Sequence, residues 1–309
     1  MHAAVVSSWS TPPYYTVVDD IPLPPPDSDL VQVKVHYVGL HELVRSRASG
    51  MPYSIPGVDG TGTTPDGTWV YFVSFGTSGT SGTYCEYINL SKQEVVPIPR
   101  GINPVRVAAC MNPMLSSRIA LATCTTNLPL RGWTALVVGA TPTSGMVAAR
   151  VAKGFGAKRI IGVAKDVTTL VTAKLGFTSV LKLEDDAERT DFSSIGAVDV
   201  VLDYAFGAAA EALLSQITTE HGPVQYVQLD ELGERMEMNL PGAVLRSKNI
   251  AIQGPGPVAW PTEAVVKELP KMISLCKSLW KIGVDVVPLS KVEEAWTKTG
   301  RKKVVFKVQ

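Results

Sequence analysis

Charge is scarce in this chain and cysteine scarcer. Only 18% of its 309 residues are charged, the net charge is +1, and the four cysteines stand apart with no CxxC pair. A near-neutral balance leaves no general field to draw nucleic acid or anionic lipid. Cys85, Cys110, Cys124 and Cys276 lack ligand spacing. They read as ordinary buried thiols in a reducing compartment, without structural zinc. The apolar runs are strand-length, too short to span a bilayer. The opening MHAAVVSSWSTPPYY has neither the basic start nor the long apolar core of a secretory signal. No internal repeat or low-complexity tract stands out. What is abundant is apolar: 45% hydrophobic residues can bury a full core, so disorder is excluded. The expectation is a cytoplasmic globular protein of one large or two ordinary domains, with no nucleic-acid or membrane partner.

The chain changes style along its length. About the first 110 residues read as β-rich, with turns dense in Gly and Pro. Strands are predicted at 3–6, 14–18, 30–38, 69–75 and 84–90. In VQVKVHYV, Val31, Val33 and Val35 alternate with Gln32, Lys34 and His36, the pattern of a half-buried strand. From about Pro113, helical patterns alternate with short apolar strands at 135–138, 159–163, 180–183, 198–202, 224–229 and 249–253. That alternation predicts a parallel sheet with crossover helices. The Gly/Pro-rich stretch 254–261 reads as a second domain junction. Beyond it come an amphipathic helix to about Trp280, a strand at 284–287, a short helix and a last strand at 304–308. The expected domains are 1–112 with 255–309, and 113–254 inserted between them.

One segment carries the strongest chemical signal. In TALVVGATPTSGMVAARVAKGFGA the apolar run Ala135–Val138 stops at a small-residue turn, and a helix begins with Val147, Val151 and Phe155 at four-residue spacing. A strand, a tight turn and a helix N-terminus present free backbone N–H groups and the positive dipole end to a dinucleotide pyrophosphate. Gly139, Thr141, Thr143, Ser144 and Gly145 should form this turn, with Thr and Ser hydroxyls as further donors or with Ser144 as helix cap. Pro142 and Thr143 stand where the middle glycines of the fingerprint belong. Pro142 removes one N–H and weakens the cradle unless that donor would have pointed elsewhere. A plain βα turn is the alternative.

About 20 residues beyond Gly145, where NAD-binding chains place an acid on the ribose 2′-hydroxyl, this chain has Lys165. A cation there favours the 2′-phosphate of NADPH; the alternative is a solvated lysine beside Asp166. Tyr204, Phe206 and Gly207 follow the strand at 198–202. In an open parallel sheet ligands lie beyond the carboxyl ends of the strands, so this loop borders the nicotinamide ribose unless its rings merely pack under it.

The order VQVKVHYVGLH, IPGVDGTG, GTWVYF, GTYCEYI, ACMNPMLSSRIAL, VVGATPTSGMVAARVAKGFGA, VDVVLDYAFG and PLSKVEEAWTKTGRKKVVF resembles the medium-chain dehydrogenase/reductase superfamily, in its zinc-independent quinone oxidoreductase and enoyl reductase branch. The resemblance spans nearly the whole chain. It implies an α/β protein: a GroES-like β-barrel catalytic domain plus a Rossmann doubly wound parallel-sheet domain, with the cofactor cleft between them. It also implies hydride transfer from NADPH to a quinone or an electron-poor C=C bond, and a homodimer joined near 249–253. Where zinc-dependent relatives carry Gly-His-Glu, this chain reads Gly57-Val58-Asp59, and the zinc-binding cysteine lobe is missing.

By the same resemblance His41 stands where the branch has a cofactor-contacting asparagine. It would contact the nicotinamide or donate the proton that follows hydride transfer; a hydrogen-bonded structural histidine is the other reading. Tyr53 lies near the cleft mouth as a second proton donor. Asn112, Ser116 and Ser117 map to the segment behind the nicotinamide, with helix capping as the alternative for the serines. Arg45 and Arg47 either meet an acidic substrate group or lie on a solvated helix face. Lys302 and Lys303 read as exposed edge-strand charges. Two other uses of the same scaffold remain open: non-redox cyclisation or isomerisation, and NADPH binding without catalysis.

Overall fold

The computed structural model describes all residues except 9, 10, 52, 75–81, 131, 221, 231, 232, 234, 257–259 and 301. The predicted strand end at Phe75 and the middle of the 254–261 junction therefore lie outside the described residues. Contacts divide the chain into two compact units, 1–113 with 266–309, and 114–265.

The first unit opens with β1 (His2–Val5) paired to β2 (Tyr14–Val17). There follow β3 (Leu30–Gly39), α1 (Glu42–Ser49), β4 (Asp59–Thr63), β5 (Trp69–Val73), β6 (Tyr87–Ser91) and β7 (Val95–Pro97). Helix α2 (Pro104–Thr123) contains Pro113, where the units divide. The second unit runs β8 (Trp133–Val138), α3 (Thr143–Gly154), β9 (Ala157–Ala164), α4 (Val167–Ala173), β10 (Ser179–Lys182), β11 (Val200–Asp203), α5 (Gly207–Gln216), β12 (Val224–Gln228), α6 (Gly242–Ser247) and β13 (Ile250–Gln253). The first unit resumes within α7 (Thr262–Cys276), at Val266, and continues with β14 (Val284–Pro288), α8 (Val292–Trp296) and β15 (Lys303–Lys307).

The sheet of the first unit has seven strands, in the order β14-β15-β3-β4-β5-β7, with β6 also on β3. Strand β3 is long enough to serve two partners along one edge: Leu30–Lys34 pair with β6 and Tyr37–Gly39 with β15. Its alternation holds through Val33 and Val35, both fully buried, and then slips. A register shift between Val35 and Tyr37 against β4 inserts one residue, so Val38 rather than Tyr37 turns into the core. The core gathers these valines with Val44, Ile88, Leu90, Leu289, Val292, Trp296 and Phe306. Because β15 lies between β14 and β3, it is not an edge strand. Lys302 is exposed, whereas Lys303 is half-buried, which corrects its reading as an exposed edge charge.

The second unit is a six-stranded sheet, parallel throughout, in the order β10-β9-β8-β11-β12-β13. Numbered within the unit this is 3-2-1-4-5-6, the doubly wound dinucleotide-binding order, with its switch point between β8 and β11. Val137, Val138, Val200 and Val201 are fully buried, as two-sided coverage by helices requires. On α3, Val147, Ala148, Val151 and Ala152 form the buried face, and Phe155 sits at the C-cap.

Candidate dinucleotide turn and a buried polar cluster

In the second unit, three loops meet at the carboxyl end of the sheet. The first is the turn from β8 into α3. Gly139 takes φ +73°, a left-handed conformation that favours glycine, and the N–H groups of Gly139 and Ala140 both donate to the Val163 carbonyl at 3.0 Å. Pro142, not Ser144, is the N-cap of α3, with φ −58° and ψ 157°. Ser144 is therefore not the cap. The Pro142 carbonyl accepts the first helical bond, from Met146 N–H at 2.9 Å. The N–H groups of Thr143, Ser144 and Gly145 thus fall in the first turn, ahead of any helical acceptor, and the proline has removed a donor outside that set. Gly145 packs so tightly on the turn that a Cβ there would lie 2.2 Å from the Gly139 carbonyl oxygen.

The second loop follows β11. Asp203 is buried and accepts the N–H groups of Ala205 (2.8 Å) and Phe206 (3.0 Å) on Oδ1, while the Tyr226 hydroxyl donates to Oδ2. Burial pushes the Asp203 carboxyl above the usual range against these bonds, and burial followed by the Asp203 charge pushes Tyr226 up. Phe206 has φ 59° and ψ −160°, a region costing a non-glycine residue about 1–3 kcal/mol. Gly207 also has positive φ, +54°, and starts α5. Tyr204 is buried, and its hydroxyl lies 3.3 Å from Ser116 Oγ; burial lifts the phenol to about 12. A Cβ on Gly139 would touch Ala205 N and Tyr204 Cβ at 3.2 Å, so these two loops are in contact.

The third loop crosses at Gly233, whose N–H donates to the Ala205 carbonyl at 2.9 Å. A Cβ on Gly207 would meet the Arg235 carbonyl oxygen at 2.5 Å. Lys165, directly after β9, is exposed and forms a 3.3 Å ion pair with Asp185. Asp166 caps α4 by accepting Thr169 N–H at 3.1 Å. Asn112 and Ser116, both half-buried, lie one turn apart on α2. Ser117 donates to the Met114 carbonyl at 3.1 Å in mid-helix, so neither serine is a cap.

A cradle with first-turn donors, close-packed glycines and a cation after the second strand fits the pyrophosphate and 2′-phosphate of a dinucleotide. The structure brings Gly139, Thr141, Pro142, Thr143, Ser144 and Gly145 onto one turn, with Tyr204 against it.

In the first unit, His41 lies two residues beyond the end of β3 and is the N-cap residue of α1. Its carbonyl accepts Val44 and Arg45 N–H at 3.0 and 3.2 Å. The ring is 2% exposed and faces Asp59 on β4, 1% exposed, with Nε2 and Oδ1 3.3 Å apart. The alignment is poor. His41 Nδ1, His41 Nε2 and Asp59 Oδ1 all lack a hydrogen bond of acceptable geometry. The other oxygen, Asp59 Oδ2, accepts the buried Tyr71 hydroxyl at 3.0 Å, and the Asp59 backbone carbonyl accepts Thr83 Oγ1 at 2.9 Å. Burial lowers the His41 pKa against the opposing pull of Asp59, with Lys303 lowering it further. Lys303 itself is pushed down by burial, with Glu42, Arg45, Cys110 and Asp59 around it. Sequence reasoning missed Asp59, Tyr71 and Lys303. Tyr71 and Lys303 stand in the apolar strands β5 and β15, whereas Asp59 opens the glycine-rich β4.

Tyr53 is 84% exposed on a left-handed backbone, φ 60°, pinned by its N–H to the Val6 carbonyl at 2.7 Å. Arg45 does not lie on a free solvated face: it donates to the Trp296 and Lys298 carbonyls at 2.9 and 3.0 Å and pairs with Glu42. Arg47 is exposed. Among the described residues no three His, Cys, Asp or Glu side chains come together as a metal site, and no helix is long and apolar enough to cross a membrane.

The strand order and the turn define a two-unit protein with a dinucleotide-binding Rossmann unit. Comparison with known proteins makes this specific. The chain is 30% identical to the probable NADPH-dependent quinone reductase tdiC of Emericella nidulans, over 96% of both chains. It superposes on the quinone oxidoreductase of Thermus thermophilus, solved also in complex with NADPH, with a TM-score of 0.75 at 23% identity over the full length of both. A 2-haloacrylate reductase superposes with a TM-score of 0.76 at 16% identity, again over both whole chains. No family model matches. The chain belongs to the medium-chain dehydrogenase/reductase superfamily, in its zinc-independent quinone oxidoreductase branch.

Proposed function

We propose that this protein is an NADPH-dependent oxidoreductase that reduces a small apolar quinone or α,β-unsaturated carbonyl compound. The observation that carries the reading is the turn from β8 into α3, where Gly145 packs on Gly139 and three first-turn N–H groups remain ahead of the helical ladder. Thr143, Ser144 and Gly145 would hold the pyrophosphate, with Thr141 and Ser144 hydroxyls as further donors. Lys165 would meet the 2′-phosphate by exchanging its exposed Asp185 partner, a weak pair that is readily given up. Asn112, Ser116, Tyr204, Phe206 and Gly207 would flank the nicotinamide end. When bound, the reduced nicotinamide supplies a hydride to an electrophilic centre.

The chain's own task is then orientation, exclusion of water and delivery of one proton. His41 and Tyr53 are the candidates for that proton. His41 is shielded at the N-cap of α1, whereas Tyr53 lies open to water. In this reading the enzyme acts in the cytoplasm as a homodimer. Its functional domains in this reading are 1–112 with 255–309, and 113–254.

The test is to follow 340 nm absorbance while mixing the protein and NADPH with a panel of p-quinones and enones. Oxidation supports the reading, and tight NADPH binding without turnover against the whole panel overturns it. Light scattering after size exclusion checks the dimer.

A further inference from the structure

Directly after β9 the chain carries a cation and then an acid, Lys165 followed by Asp166, both about 20 residues beyond Gly145. An acid at that place suits the ribose 2′-hydroxyl of NADH, and a cation suits the 2′-phosphate of NADPH. By residue type alone the two neighbours point to opposite cofactors. Their bonds divide them. Both carboxylate oxygens of Asp166 are engaged by one residue: Thr169 N–H donates to Oδ1 at 3.1 Å, and the Thr169 hydroxyl donates to Oδ2 at 2.6 Å. Asp166 thereby caps α4, with its charge against the positive end of that helix. Lys165 pairs with Asp185 at 3.3 Å, and both of those side chains are more than half exposed.

The corner is built entirely from the second unit. Leu183 N–H donates to the Ala164 carbonyl at 2.9 Å, which brings the residues after β10 alongside those after β9. Glu184 there is paired with Lys182 at 2.8 Å. A phosphate dianion approaching Lys165 thus meets Glu184 already paired with a lysine and Asp166 already bonded to Thr169. It has only the exposed Asp185 to displace. Helix α4 does not depend on the Thr169 hydroxyl for its place. Leu170, 1% exposed, occupies space that Gly162 leaves on β9, where a Cβ would lie 2.9 Å from Leu170 Cδ1.

We propose that Thr169 is a positioning residue for cofactor choice: by holding both oxygens of Asp166 it keeps the acid after β9 off the ribose and leaves Lys165 to select the 2′-phosphate. The inference rests on the reading of Lys165 as the 2′-phosphate contact and deepens it. A carboxylate released from Thr169 is an acceptor for a ribose 2′-hydroxyl and repels a 2′-phosphate. Specificity is a difference of two affinities, so the same bond disfavours NADH and favours NADPH.

The test is a double-mutant cycle on the full chain. It is read by equilibrium titration with NADPH and NADH, and with their adenosine ends 2′,5′-ADP and 5′-ADP. Thr169→Val keeps the N–H and the branched shape but removes the hydroxyl that holds Oδ2. It should lower the NADPH/NADH affinity ratio by about 5-fold, the scale of one hydrogen bond, with NADH bound more tightly than by the wild type. The two ADP probes should shift in the same sense. A merely loosened α4 would weaken both cofactors, so the gain in NADH affinity separates positioning from structure. Thr169→Ser keeps the hydroxyl and should retain the wild-type ratio. Asp166→Ser keeps a capping oxygen without the charge and should leave NADH affinity within about 2-fold of the wild type. Combined with Thr169→Val, it should abolish the NADH gain.

An unchanged ratio in Thr169→Val overturns the proposal. So does an NADH gain that survives in the double variant, or a large loss of NADH affinity in Asp166→Ser, since the acid would then already meet the ribose. If the wild type prefers 2′,5′-ADP, Lys165→Glu removes that preference and the cycle fails, only the role of Thr169 falls. If the wild type shows no such preference, or Lys165→Glu leaves it unchanged, the Lys165 reading and this inference fall together.

Discussion

The Gly139 carbonyl oxygen lies 2.2 Å from where a Cβ of Gly145 would be, so the residue six positions on in the turn must be glycine for the turn to close. Gly145 sits at the third position of α3 with ordinary helical φ, and its requirement is one of space rather than of backbone conformation. The neighbour is backbone and cannot move aside as a flexible side chain would.

Gly145→Ala should therefore force the turn apart. We expect a loss of stability of about 1–3 kcal/mol from overpacking. NADPH affinity should fall by more than the melting temperature alone suggests. Urea denaturation and fluorescence titration with NADPH check the two together.

Lys165→Glu replaces the cation after β9 with the acid that suits a ribose 2′-hydroxyl. A lost charge-assisted bond of about 1.5–3 kcal/mol corresponds to roughly 10- to 100-fold in the NADPH/NADH preference. Stability should stay within about 0.5 kcal/mol, because the Lys165–Asp185 pair is exposed. Steady-state kinetics with each cofactor measures the ratio, and an unchanged ratio removes Lys165 from the site.

Asp203 titrates above the usual carboxylate range in the folded chain, burial outweighing the bonds it accepts. The sign follows directly. A raised carboxyl pKa contributes stability that is fully present below the unfolded value of about 3.9 and is lost as pH rises through the folded value. Between those pH values the wild type should lose stability relative to Asp203→Asn, which does not titrate. Urea unfolding at a series of pH values gives the difference in slope.

The four cysteines are all buried, and burial pushes the Cys85 and Cys110 thiols up to about 12. Thiolate is the reactive form, so none should react with a disulfide reagent in the native state. All four should react once the chain is unfolded in guanidinium.

What could be read from sequence was whatever depended on local periodicity. The strand at 135–138, the buried face of α3 and the alternation of parallel strands needed only near neighbours. Strand β4, DGTGT, was not predicted because glycine is a poor strand former. The reason for its glycines is tertiary. A Cβ on Gly62 would lie 2.2 Å from the Lys34 carbonyl oxygen, and one on Gly60 would lie 2.8 Å from Phe72 Cζ.

The same strand hid Asp59. It stands beside His41 only because β3 and β4 pair, and no spacing along the chain announces that meeting. Lys303 was misjudged for a related reason, since an edge strand and an interior strand at a chain end look alike until partners are known. Pro142 looked like damage to the phosphate turn. As the N-cap of α3 it is compatible with a full first turn of donors.

The position of β15 also bears on how the molecule is made. The strand between β14 and β3 lies in sequence after the whole second unit, so on the ribosome β3 waits without its neighbour while some 260 further residues are joined. The contiguous second unit can finish folding during synthesis, at the usual pace of domain-wise folding. The first unit stays a split sheet, with the edge of β3 bare at Tyr37–Gly39, until residues 303–307 leave the exit tunnel. Synthesis thus imposes an order of maturation: the turn from β8 into α3 can be complete before the first unit's sheet is whole.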